Sequence, residues 1–173
     1  EQCLGSAVKI FLDTEEIKAG SKWPTKLKKA LAKSRCIVPV FCGLYFRSEW
    51  CAKEFAVFHH REKECSPAPN NEPYHLIVPV LVRDGEHLPE FTEEIHYQPL
   101  HDYWTRCEAF RTCPDYRKFE REIKRFANSV KLSLKQVPKW NPKWITDEWI
   151  ERISFDNYQI KGEMNVDQNP VLR

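Results

Sequence analysis

The chain has 173 residues, 42% hydrophobic and 30% charged, which is a globular composition with apolar mass for one domain and a short appendage. Lysine and arginine number 27 against 25 acids, a net charge of +2, so neither a nucleic acid nor a membrane surface is expected as the main partner. The apolar run LIVPVLV, residues 76–82, falls far short of the roughly 20 residues of a membrane span, and no secretory signal pattern opens the sequence.

AVKIFLD, residues 7–13, reads as a strand buried on both faces. The polar loop TEEIKAGSKW follows, then PTKLKKALAKS, residues 24–34, which predicts a helix. Pro24 suits its first turn, and Trp23, Leu27, Ala30 and Leu31 share one stripe. RCIVPVFCGLYF, residues 35–46, holds a second buried strand ending at Gly43. Ser48 and Glu49 then open a helix that runs to about residue 64. SPAPNNEP is a loop, and YHLIVPVLVRD, residues 74–84, a third strand. EHLPEFTEEI predicts a loop with one or two helical turns, and HYQPLHDY, residues 96–103, a short fourth strand. A long helix spans Pro114 to about Gln136, with Phe119, Ile123, Phe126, Val130 and Leu134 at helical spacing. On its other face Arg117, Lys118, Arg121, Lys124 and Arg125 alternate with Glu120 and Glu122, a solvated face rather than a nucleic-acid groove.

Strands with continuous apolar runs alternating with helices predict a doubly wound α/β domain, a parallel sheet with helices on both faces. Ligands in such folds bind beyond the carboxyl ends of the strands. Those ends lead into DTEEIKAGSKW, CGLYFRSEW and RDGEH. The domain is expected over residues 1–136. Residues 137–173 form a tryptophan-rich C-terminal extension, or a linker to a partner domain, whose Trp140, Trp144 and Ile145 pack on the domain surface or on a neighbour.

Seven cysteines, at 3, 36, 42, 51, 65, 107 and 113, form no C-x-x-C pair. They read as reduced thiols of a cytoplasmic protein, with no metal site, and the histidines at 75, 87, 96 and 101 add no ligand spacing.

SEWCAKEF, residues 48–55, raises the sharpest question. Trp50, Glu54 and Phe58 are spaced i, i+4, i+8 and so stack along one side of a helix. An acid on such a stripe is costly unless something pairs with it. Spacing alone favours a helix residue paired with Lys53 or with the adjacent loop. Trp50 reads as core. Cys51 reads as a buried thiol, since His59 and His60 lie two turns away along the same helix.

The segment from FLD to KEF resembles the core of a Toll/interleukin-1 receptor (TIR) domain. The resemblance rests on the strand ending FLD, on Ile17, Gly20 and Trp23 in I-x-x-G-x-x-W, on Ala30, Ser34 and Arg35 in A-x-x-x-S-R, and on S-x-W-C-x-x-E-F from Ser48 to Phe55. It is close over about residues 8–58 and looser to about residue 135. The W-C-x-x-E form is similar to TIR domains of bacteria and plants. In that fold, which is flavodoxin-like with strand order 2-1-3-4-5, a further strand and helix come first. Both are missing from this sequence, so an upstream segment is expected.

The resemblance implies an enzyme that cleaves the nicotinamide–ribose bond, with NAD(P)+ as substrate rather than cofactor. It implies Glu54 as the catalytic residue and Phe11, Asp13, Trp23, Tyr45 and Trp50 around the substrate. It further implies self-association through TIR domains, a sensor or regulatory partner, and a place in immunity or antiviral defence. The alternatives are a non-catalytic TIR module that signals by self-association, and another nucleotide-binding domain such as a nucleoside transferase.

Overall fold

A computed structural model describes residues 25–65, 75–103, 108–138 and 141–161. Helix α1, Thr25–Lys33, buries Leu27, Leu31 and Ala32. It stops at Ser34, whose hydroxyl donates back to the Ala30 carbonyl at 2.8 Å. Strand β1, Val40–Phe41, leads through a tight turn at Tyr45–Arg47 into helix α2, Glu49–Cys65. Ser48 caps α2 as its sequence position predicts, with Oγ accepting the Cys51 N–H at 3.4 Å. Strands β2, Val80–Leu81, and β3, Gln98–Pro99, come next. Helix α3, Pro114–Gln136, and the short α4, Asp147–Glu151, complete the chain order.

The three strands form a parallel sheet in the order β1-β2-β3, with Val40 opposite Val80 and Val80 opposite Gln98. The α/β expectation holds, but the strands are shorter than their apolar runs. Each of the first two carries a proline inside a V-P-V triplet, and proline has no N–H to give. Pro39 therefore only accepts, from the Val80 N–H at 3.0 Å, and Pro79 only accepts, from the Gln98 N–H at 3.0 Å. Beyond the prolines the pairing survives as an isolated bridge between Ile37 and Ile77.

Side chains alternate across a strand. Pro39 and Phe41 turn inward and are buried, while Val38 and Val40 remain 41% and 51% exposed. The strand expected at residues 7–13, read as buried on both faces, lies outside the described residues, and the outward face of β1 is exposed. The inner face meets α2 in an aromatic core. Phe41, Phe46, Phe55 and Phe58 are essentially fully buried, and the Phe46 and Phe55 rings meet edge to face at 5.0 Å.

Arg61 is a buried cation at 1% exposure. Its Nη1 donates to the carbonyls of Leu31 at 3.1 Å and Ser34 at 2.9 Å, so it serves the open C-terminal end of α1. Its guanidinium lies between the rings of Phe58 and Trp144, 4.7 and 4.1 Å from their centroids. Burial lowers its pKa to about 10.

The tail returns to the domain. Trp144, Trp149, Ile150 and Ile153 are buried in the same core as α2. Glu64 near the end of α2 receives both indole N–H groups, from Trp144 at 3.0 Å and Trp149 at 3.2 Å, and the Lys143 ammonium at 2.6 Å. Trp140 lies outside the described residues.

Helix α3 has the predicted bounds and is the least buried long element. Phe119, Phe126, Val130 and Leu134 are half-buried, and Ile123 is exposed. Its solvated face carries the pairs Lys118–Asp115 and Arg125–Glu122, at 2.9 and 2.7 Å. No helix among the described residues is long and apolar enough to cross a membrane.

Candidate active site

Helix α2 starts at the carboxyl edge of the sheet, one turn after β1 ends. That placement puts its first two turns where doubly wound folds bind ligands. Glu54 sits in this stretch and is half-buried. The helix is continuous, so Trp50, Glu54 and Phe58 do share a side. Phe58 closes into the core, whereas Trp50 is half-buried and packs against it. Lys53, the sequence neighbour of Glu54, pairs with Glu49 and lies 5.4 Å from the Trp50 ring centroid.

Tyr45 faces this stretch from the preceding turn. Its ring is wedged edge-on against Phe41 at 5.1 Å and Phe46 at 4.9 Å. Burial raises its hydroxyl pKa above the ordinary tyrosine value, and Glu54, together with Cys51 where that thiol is ionised, adds to the rise. The Cys51 thiol is likewise pushed up, first by burial; the Ser48 hydrogen bond opposes the rise, while Glu54 and Cys42 reinforce it. Glu54 therefore stands within electrostatic reach of a hydroxyl and a thiol that both stay protonated at neutral pH.

The far side of the carboxyl edge is built by the loop after β2. Gly43 is buried there, and a Cβ on it would stand 3.0 Å from Cβ of Asp84 and 3.2 Å from Cβ of His87. Glycine thus lets the two loops meet. Asp84 adopts a left-handed conformation, φ 52°, at the start of the turn Gly85–His87. The RDGEH loop is legible in the sequence as a cleft edge, but Asp84 and His87 individually are not. The signal that could have found them is the glycine in FCG, which marks a close backbone approach.

The histidines of α2 are engaged away from Cys51. His59 Nδ1 lies 2.9 Å from the Tyr158 hydroxyl, and the His60 ring meets Trp149 edge to face at 5.3 Å. Burial, with help from Lys63 and His60, lowers the His59 pKa to about 4. Neither arrangement forms a cysteine–histidine pair. Among the described residues no three His, Cys, Asp or Glu side chains gather into a possible metal site.

The fold therefore brings together Glu54, Tyr45 and Trp50 of the six residues picked from sequence. Phe11, Asp13 and Trp23 lie outside the described residues. Residues 1–113 match the model of the family described as TIR domain. No curated protein and no solved structure matches the chain.

Proposed function

Because the chain belongs to the TIR domain family, we propose that it is an NAD(P)+ nucleosidase that releases nicotinamide and linear or cyclic ADP-ribose. TIR domains in general serve signalling and immunity and associate with one another. The finer reading is supported by one observation: a half-buried carboxylate, Glu54, lies at the carboxyl edge of a parallel sheet within electrostatic reach of the Tyr45 hydroxyl and the Cys51 thiol.

The chemistry asks little more of the protein. Nicotinamide in NAD+ is a cationic leaving group and departs neutral with the electron pair of the C–N bond, so no general acid is needed. Positive charge develops on the ribose, and a carboxylate beside it stabilises that charge. Water then attacks the ribose carbon, losing a proton to the carboxylate or to solvent; attack by the adenine ring gives the cyclic product instead. Surroundings poor in water strengthen the carboxylate's effect. Tyr45 would supply a neutral hydroxyl, and Trp50 a face for the nicotinamide or adenine ring. Phe11, Asp13 and Trp23 are assigned to the substrate on sequence grounds alone. The activity is read as that of an effector switched on when TIR units cluster, under the control of a sensor partner.

The test is nicotinamide release from NAD+ by wild type and Glu54→Ala, with the protein clustered on beads. Release should fall by about 10²-fold or more in the variant. Equal release by a folded Glu54→Ala protein would remove Glu54 from the mechanism. A second reading, a non-catalytic module acting by self-association, has its own support in the exposed Val38, Val40 and Leu44 along and beyond β1. It predicts assembly with no release from wild type.

A further inference from the structure

The segment Phe155–Ile160 grips the front half of α2 and the turn before it. The Tyr158 ring packs on Phe55 at 5.8 Å and on Phe91 at 5.4 Å, and its hydroxyl meets His59 at 2.9 Å. The Ile160 N–H donates to the Phe46 carbonyl at 2.9 Å. Phe46 belongs to the three-residue turn that carries Tyr45, and its ring touches Tyr45, Phe55 and Phe91. Phe155 reaches Lys53, whose ammonium lies 6.0 Å from the ring centroid. Upstream, Trp144 and Trp149 fix the same strap to the far end of α2 through Glu64. The strap thus touches the residues on both sequence sides of Glu54 and hydrogen-bonds the turn that presents Tyr45.

We infer that Tyr158 and the Ile160 N–H are positioning groups for the Glu54 site, so that docking of the C-terminal strap sets whether the site is competent. Neither group touches the reacting atoms. Tyr158 acts through Phe55 and His59 on the helix that carries Glu54, and Ile160 acts through Phe46 on the turn that carries Tyr45. Small displacements of reacting groups are enough to cost large factors in rate. This inference deepens the nucleosidase reading and rests on it for its effect on turnover.

The experiment compares the full chain with Tyr158→Ala, Tyr158→Phe and Ile160→Pro, the last of which deletes the N–H donor and leaves every aromatic side chain unchanged. Two quantities are read: nicotinamide release by the clustered protein, and hydrogen exchange of the amides from Tyr45 to Glu54. Tyr158→Ala and Ile160→Pro should lower kcat by about tenfold with KM changed less than about threefold, and should speed exchange over those amides. Tyr158→Phe should restore most of both. A purely structural tail would lower thermal stability and leave kcat and local exchange alone. Wild-type kcat and exchange in folded Ile160→Pro would overturn the inference, even if Tyr158→Ala does not fold. A wild type that releases no nicotinamide defeats the nucleosidase reading, while the exchange comparison still decides whether the strap holds the turn.

Discussion

At the level of single residues, the protonation of Glu54's neighbours is the physical core of the proposal. Tyr45 and Cys51 each sit where burial and the nearby carboxylate both disfavour a second negative charge. Cys51 should therefore react with iodoacetamide more slowly than an exposed thiol, by on the order of tenfold at about pH 8. Labelling followed by mass spectrometry checks this, and rapid modification of Cys51 would show a thiolate that the proposal does not allow. Glu62, two turns further, obeys a different balance. Its Oε1 accepts the N–H groups of Leu76 at 2.5 Å and Ile77 at 3.0 Å, anchoring the start of the second strand run. Burial nevertheless raises its pKa from 4.5 to about 7, those two bonds opposing the rise. A raised folded pKa means a contribution that is complete below the unfolded value and lost as the pH climbs through the folded one. Glu62→Gln should then flatten the fall in stability between those two pH values, recovering on the order of 2 kcal/mol at the alkaline end. Thermal melts of both proteins across that range provide the comparison. Of the candidate site, Glu54, Trp50 and Tyr45 are legible because helical spacing and a short turn fix their relation locally. Asp84, His87 and Tyr158 are not, because only the closed fold brings the first two against Gly43 and the third against Phe55 and His59.

Among the elements, α2 carries the most obligations, since the sheet, α1 and the tail all meet it. Arg61 ties α1 to α2, and its Nε has no partner among the described residues. Arg61→Met should destabilise the protein by roughly 2 kcal/mol, because the Leu31 and Ser34 carbonyls would lose their donor while staying inside. Denaturant unfolding measures that, and an unchanged midpoint would mean that the two carbonyls find other donors. Glu64 ties α2 to the tail. Burial opposes its charge, but the bonds from Lys143, Trp144 and Trp149 outweigh it and hold the carboxyl below its ordinary pKa. A lowered folded pKa gives stability that is present above the unfolded value and lost as the pH falls through the folded one. The tail should thus loosen first on strong acidification, and Glu64→Ala should expose residues 141–161 to proteolysis at neutral pH. Sequence periodicity placed α1, α2 and α3 well, because amphipathic spacing is a local property. It overestimated the strands, because an apolar V-P-V run looks continuous while its prolines break the ladder. It also missed α4, five residues long and held by the Thr146 cap and by packing rather than by any repeat.

At the scale of the whole molecule, the alternation of strand and helix made the α/β class readable, and the parallel sheet follows it. The path of the last segment was not readable in the same way. VPKWNPKWITDEWIERI has the composition of a surface extension, and nothing local in it announces Arg61 or Glu64 as its seats some 80 residues earlier. The family match ends at residue 113, yet the core continues through Ile153. A chain cut at the end of α3 should therefore expose the aromatic flank of α2 and aggregate, which light scattering would reveal; a soluble monomer of that length would separate tail from core. The seating of the two tail indoles has an optical consequence as well. Trp144 lies against a guanidinium and Trp149 against an imidazole, and both are out of water with their N–H groups on one carboxylate. Their fluorescence should be blue-shifted and sensitive to undocking, so the molecule carries its own unlabelled reporter of whether the tail is seated.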